Sequence, residues 1–230
     1  MKSISEFETI LKAFDFTYIL SIIMAIIPAF LCITLHEISH GLAACVLGDD
    51  TAKNAGRLSL NPLKHLDVMG FLMMLVFRVG WAKPVPVNMY KFKNPKTGMA
   101  ITALAGPLSN LLISVVFLFL FGFFYFPLAG SSVGSYFLEM IKLTAYMSVG
   151  LAVFNFIPFP PLDGSKILFS FLNDEAYDKL MRYEKYGAII MIALVASGVL
   201  SKYLSLAIGQ LYTWLTVFAD WGMKLAILVM

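Results

Sequence analysis

The sequence predicts an all-α polytopic membrane protein of about five to six transmembrane helices. A short re-entrant or β-edge segment is expected between the first and third apolar stretches. Three observations lead there. Of the 230 residues, 60% are hydrophobic and only 13% are charged, outside the range of soluble domains. The apolar residues gather into runs at 17–47, 68–79, 100–126, 136–157, 187–208 and 211–230, and all but the second reach the roughly 20 helical residues that a bilayer requires. The second run contains Arg78 and is too short for an untilted crossing, so it reads as a re-entrant or interfacial piece.

The elements follow in order. Lys2, Glu6, Glu8, Lys12 and Asp15 precede the first run, and no small-residue cleavage site follows it, so the first span is expected to remain in the mature protein. Pro28 bends that helix. Cys32 and Cys45, on one helix, stand about 20 Å apart along its axis and cannot bridge each other. Loops 48–67 and 80–99 carry Lys53, Arg57, Lys64, Lys83, Lys91, Lys93 and Lys96, whereas 127–135 carries no charge. The positive-inside rule therefore places those loops on the cytoplasmic side. Segment 158–186, with Lys166, Lys179, Arg182 and Lys185, falls on the same side provided run 68–79 dips in and returns. Connections are too short for a separate soluble domain, which predicts a single domain over 1–230 with a core at about 17–170 and accessory helices at about 187–230. Within "GWAKPVPVN" (80–88), Pro84 and Pro86 cannot donate ladder hydrogen bonds, so a strand there is an edge strand. Net charge is +3 and the cations are scattered, which excludes a nucleic-acid footprint.

The chemistry is concentrated in "TLHEISHG" (34–41). Residues i and i+4 of a helix project from one side, so His36 and His40 can grip one metal while Glu37 reaches a water beside it. Neutral imidazoles suit zinc, whose catalytic sites keep three protein ligands and an open position. Ionisable groups in a span cost on the order of 3 kcal/mol each, which marks this cluster as functional. The remaining histidine, His65, lies in a charged loop and reads as a surface residue. Among Glu139, Asp220 and Asp163, topology favours Asp163 as third ligand: it arrives on the side where the first helix ends. Pro158, Pro160, Pro161 and Gly164 unwind the chain around it, and such backbone is tolerated at membrane depth around a cavity. Cys32, one turn before His36, reads as a small buried hydrophobe. Asn110 and Asn155 are each either a donor to developing oxyanion charge or an interhelical hydrogen-bond partner. Gly106 and Pro107 read as close packing and a kink.

HExxH in an early span, "GPLSN" (106–110) in a later one and "NFIPFPPLDG" (155–164) closing the next resemble the site-2 protease family of intramembrane zinc metalloproteases. The resemblance covers roughly 31–166, includes "GRLSLNP" (56–62), and is nearest the compact prokaryotic members without a PDZ or cystathionine-synthase-type domain. It implies one Zn2+ per chain held by His36, His40 and Asp163, with Glu37 as general base. It also implies that the segment around Lys83 to Asn88 receives an unfolded substrate stretch, which the edge at Val85 and Val87 could take up by strand addition. The implied activity is endopeptidase cleavage of transmembrane protein substrates in the lipid bilayer of the cell membrane, from the cytoplasmic side. A homo-oligomer or regulatory membrane partner stays open. The competing expectation is a zinc transporter or a membrane zinc-binding protein without protease activity, but a transport path needs further ligands and the chain has three histidines in all.

Overall fold

The computed structural model describes residues 16–77 and 81–229. These are mostly helical, with no strand among the described residues. Helix α1 (Phe16–Val46) begins the chain's described part. A short α2 (Thr51–Asn54) and α3 (Val68–Phe77) follow it. Arg78, on which the re-entrant reading partly rests, lies outside the described residues, as do the charged residues at 1–15. The long α4 (Pro95–Leu128), α5 (Ser132–Asn155) and the short α6 (Asp163–Phe169) complete the core. Helices α7 (Asp174–Ala196), α8 (Val199–Leu215) and α9 (Val217–Val229) close the chain.

Each core boundary has a local cause. Helix α1 stops at Gly48, whose φ of 101° is a left-handed conformation that a side chain disfavours. Pro28 lies inside α1 and is buried. Helix α4 starts with Pro95 in its first turn behind Asn94, whose side chain accepts from Thr97 N–H. Ser131 caps α5 by accepting from Gly134 N–H at 3.0 Å. The prolines at 158, 160 and 161 then end helical pairing, and α6 restarts with Asp163 in its first turn.

Three helices are long and apolar enough to cross a membrane: Ile22–Val46, Pro95–Leu128 and Ser132–Asn155. A bent pair, Ile189–Val195 with Val199–Val229, adds a fourth if taken as one broken span, its halves meeting at 78°. The fold is thus a multi-pass helical membrane protein. The two C-terminal apolar runs do not each form one long helix, because Gly198, with φ of 72°, breaks the first. Helix α4 is central and packs against α1, α5, α6 and α9. The expected β edge is reduced to one antiparallel bridge, Leu66 with Ala82, extended by Lys83 N–H donating to His65 O at 2.9 Å. Residues 83–88 themselves carry no helix or strand.

Candidate metal centre

Helix α1 presents His36 and His40 toward α4 and α6 one turn apart, as the i, i+4 spacing requires. Their Nε2 atoms lie 3.0 Å from each other, and each lies 3.2 Å from Asp163 Oδ2. All three residues are buried. Chain segments 123 residues apart in numbering thus converge on one point, with Asp163 delivered by the proline break and the first turn of α6.

The proton inventory shows what this point lacks. His40 Nδ1 is 2.7 Å from the Thr102 carbonyl, which can only accept, so in the neutral ring the proton is on Nδ1 and Nε2 is a bare lone pair. His36 Nδ1 is 3.1 Å from the Asn110 carboxamide. Asn110 is fully buried and its Oδ1 has no other partner; with the amide turned to present that oxygen, it accepts from His36 Nδ1–H and frees the second Nε2 lone pair. Asp163 Oδ2 likewise has no hydrogen-bond donor. Two imidazole lone pairs and a carboxylate oxygen facing one another at this spacing form a donor set suited to a metal cation. The separations approach the roughly 3.3 Å edge of a tetrahedron whose ligands sit about 2.0–2.1 Å from zinc. The residues therefore fit a zinc ion.

Gly106 of α4 makes the approach possible. A Cβ there would collide with the His40 ring and come within 2.6 Å of His36 Cε1, so the glycine of "GPLSN" packs closely as its sequence suggested. A cleft of about 310 Å³ opens from the metal centre, with Glu37, Asn155, Val85, Val87 and Lys166 on its walls. Glu37 Oε2 accepts from Val85 N–H at 2.8 Å. Asn155 Nδ2 donates to Leu151 O at 3.0 Å. Lys83 is exposed and engages its neighbours through its backbone.

The structure decides one open reading, overturns another, and adds two residues. Asn110 is behind His36, not on the cleft wall: it is the interhelical partner, on the same face of α4 as Gly106 one turn earlier, which meets α1. His65 is not a surface residue: it is 2% exposed, with Nε2 donating to Ser59 O at 2.9 Å. Arg57 and Asp49 were not singled out as site residues, yet both are buried and reach the cleft-lining segment. Cys32 behaves as expected, buried with its thiol toward Thr144 O at 3.6 Å.

The fold and this centre define a membrane-embedded metal-dependent hydrolase. A profile of peptidase family M50 matches residues 127–198, a stretch that contains Asn155 and Asp163. A protein of Bacillus subtilis (strain 168) named as a zinc metalloprotease, YwhC, is 36% identical over 173 residues, covering 74% of this chain and 78% of its own. A Mycolicibacterium smegmatis protein named as a zinc metalloprotease, Rip2, is 28% identical over 191 residues, covering 81% of this chain and 72% of its own. A Methanocaldococcus jannaschii protein, also named as a zinc metalloprotease, is 31% identical over 161 residues, covering 68% and 76% respectively. No solved structure matches the chain. The chain belongs to peptidase family M50, the site-2 proteases. It is a zinc metallopeptidase of a membrane, and the transporter reading is not favoured.

Proposed function

We propose that the chain cleaves transmembrane segments of other membrane proteins at the cleft beside His36, His40 and Asp163, from the cytoplasmic side. The observation that carries this reading is the convergence of two bare imidazole lone pairs and one carboxylate oxygen in a cleft that also holds Glu37. When bound, zinc supplies Lewis acidity to the scissile carbonyl and the attacking water. Glu37 takes the water's proton on a carboxylate oxygen and returns it to the leaving amine. Asn155, on the cleft wall, is placed to donate to developing oxyanion charge. Asn110 holds the His36 ring, which keeps Nε2 aimed inward.

Val85 and Val87 offer the backbone against which an unwound substrate stretch aligns, with Lys83 at the start of that segment. A helix must be opened in this way, because its carbonyls are already hydrogen-bonded within it. The lysines and arginine at 53–96 support a cytoplasmic orientation. We assign the catalytic domain to about 17–170 and an accessory role to α7–α9. With run 68–79 taken as re-entrant, α7 to α9 supply the crossings beyond the three long helices.

The test pairs zinc analysis with cleavage. Purified wild type should hold about one zinc per chain and release fragments from a reconstituted single-span protein. Glu37→Gln should hold the zinc and release none. Equal cleavage by both would overturn the assignment.

A further inference from the structure

The motif "GRLSLNP" and the end of α1 are tied to the cleft-lining segment by contacts that the catalytic chemistry does not use. At one end of that segment Arg57 Nη2 donates to Lys83 O at 2.6 Å, and Lys83 N–H donates to His65 O at 2.9 Å. At the other end Asn88 N–H donates to Asp49 Oδ2 at 2.6 Å. The same carboxylate accepts from Thr51 N–H at 3.0 Å and from the Thr51 hydroxyl, and Lys91 Nζ lies 3.3 Å from it. Between the two ends, Val85 N–H reaches Glu37.

Both end groups are placed at a cost. Arg57 is 9% exposed, and among the described residues no carboxylate lies within ion-pair distance of it; its buried charge is spent on one backbone carbonyl. Asp49 is fully buried and stands three residues beyond the end of α1, the helix that carries His36 and His40. The arrangement fixes the segment relative to the catalytic helix at two points that flank Val85 and Val87.

We infer that Arg57 and Asp49 are positioning residues that set the register of the substrate-receiving segment over the metal centre. They touch neither metal nor substrate. They act by holding Lys83 O and Asn88 N–H, so that the backbone groups of Val85 and Val87 meet an incoming peptide at one fixed distance from Glu37. This rests on the protease reading above and adds to it what fixes the site of cleavage. Small displacements at such a point carry large effects on reactions that depend on alignment.

The test uses the zinc-loaded full chain in detergent and two probes: acetohydroxamate, which engages zinc alone, and a hydroxamate carried on an extended apolar tripeptide, which must also lie along the segment. Arg57→Lys and Asp49→Asn should each weaken the tripeptide hydroxamate by about tenfold or more, leaving acetohydroxamate affinity and zinc content at wild-type values. Lys93→Ala removes an exposed side chain outside both the cleft and its lining segment, so it should change neither. Where a substrate is cleaved, the variants should scatter the cleaved bond, read by mass spectrometry. Equal weakening of both probes would reduce Arg57 and Asp49 to general structural roles, and unchanged tripeptide binding would remove them from the segment altogether; either overturns the inference. If wild type binds neither probe and holds no zinc, the failure is that of the metal centre itself.

Discussion

Val85 N–H donates to Oε2 of Glu37 across 2.8 Å, which joins the residue proposed as general base to the segment that lines the cleft. One carboxylate oxygen is oriented by the backbone, and the other remains for proton transfer.

This pairing makes Glu37→Gln a clean substitution, because the amide oxygen can still accept from Val85 N–H. Its proteolytic rate should fall by about 10²–10⁴-fold, the usual worth of a general base. Zinc content and helix content, read by elemental analysis and circular dichroism, should not change.

Asp163→Ala leaves two imidazoles without their carboxylate. Zinc should drop from about one per chain toward none after dialysis, since a three-ligand site reduced to two binds weakly. Zinc held at the wild-type level would show that the third ligand lies elsewhere.

Asn110→Leu removes the group that holds the outer nitrogen of His36. Zinc affinity measured by chelator competition should fall by about 10- to 100-fold, the range for loss of a partner behind a ligating histidine. Asn110→Gln should recover little, because its longer side chain does not fit a fully buried position on α4.

At Gly106, a single methyl group collides with the His40 ring. Gly106→Ala should therefore impair zinc binding while leaving α4 helical, alanine being the better helix former. Wild-type zinc affinity in this variant would show that α1 and α4 can separate without loss of the centre.

Asp49 gives the chain a pH dependence outside the membrane. Burial by itself would raise its carboxyl, but the Asn88 N–H and the two donors of Thr51, with Lys91 close by, outweigh burial and hold it below the ordinary carboxylate range. A depressed folded-state pKa contributes stability that is fully present above the unfolded value of about 3.9 and is lost as pH falls from there through the lower folded-state value. The thermal stability of wild type should thus fall as pH drops below about 4, and Asp49→Asn should be less stable at neutral pH with a shallower slope over that acid range.

The parts of this fold legible in sequence are those set by local spacing. The grouping of His36 with His40 follows from helical periodicity, and Asp163, which joins them in the structure, stood out in the sequence by the prolines beside it. The side of Asn110 was not legible: a carboxamide serves as oxyanion donor or helix partner equally well, and only the face of α4 decides. Arg57 and Asp49 were hidden because their partners, Lys83 O and Asn88 N–H, are backbone groups 26 and 39 residues away, and backbone atoms leave no mark in a sequence. The same charged-loop composition that made His65 look exposed covers a loop that folds in over its own Ser59 carbonyl. In the C-terminal runs hydropathy recorded apolar character correctly but could not register that Gly198 would turn left-handed and divide one run between α7 and α8.

Pro84 and Pro86 are exposed and have no N–H, while the N–H groups of Lys83, Val85 and Asn88 are already engaged by His65, Glu37 and Asp49. An exposed backbone edge ordinarily templates further strands, and prolines suppress that tendency. A peptide that pairs with this segment would therefore meet chiefly carbonyl groups, so the segment is suited to take a single extended strand and poorly suited to template further copies of itself.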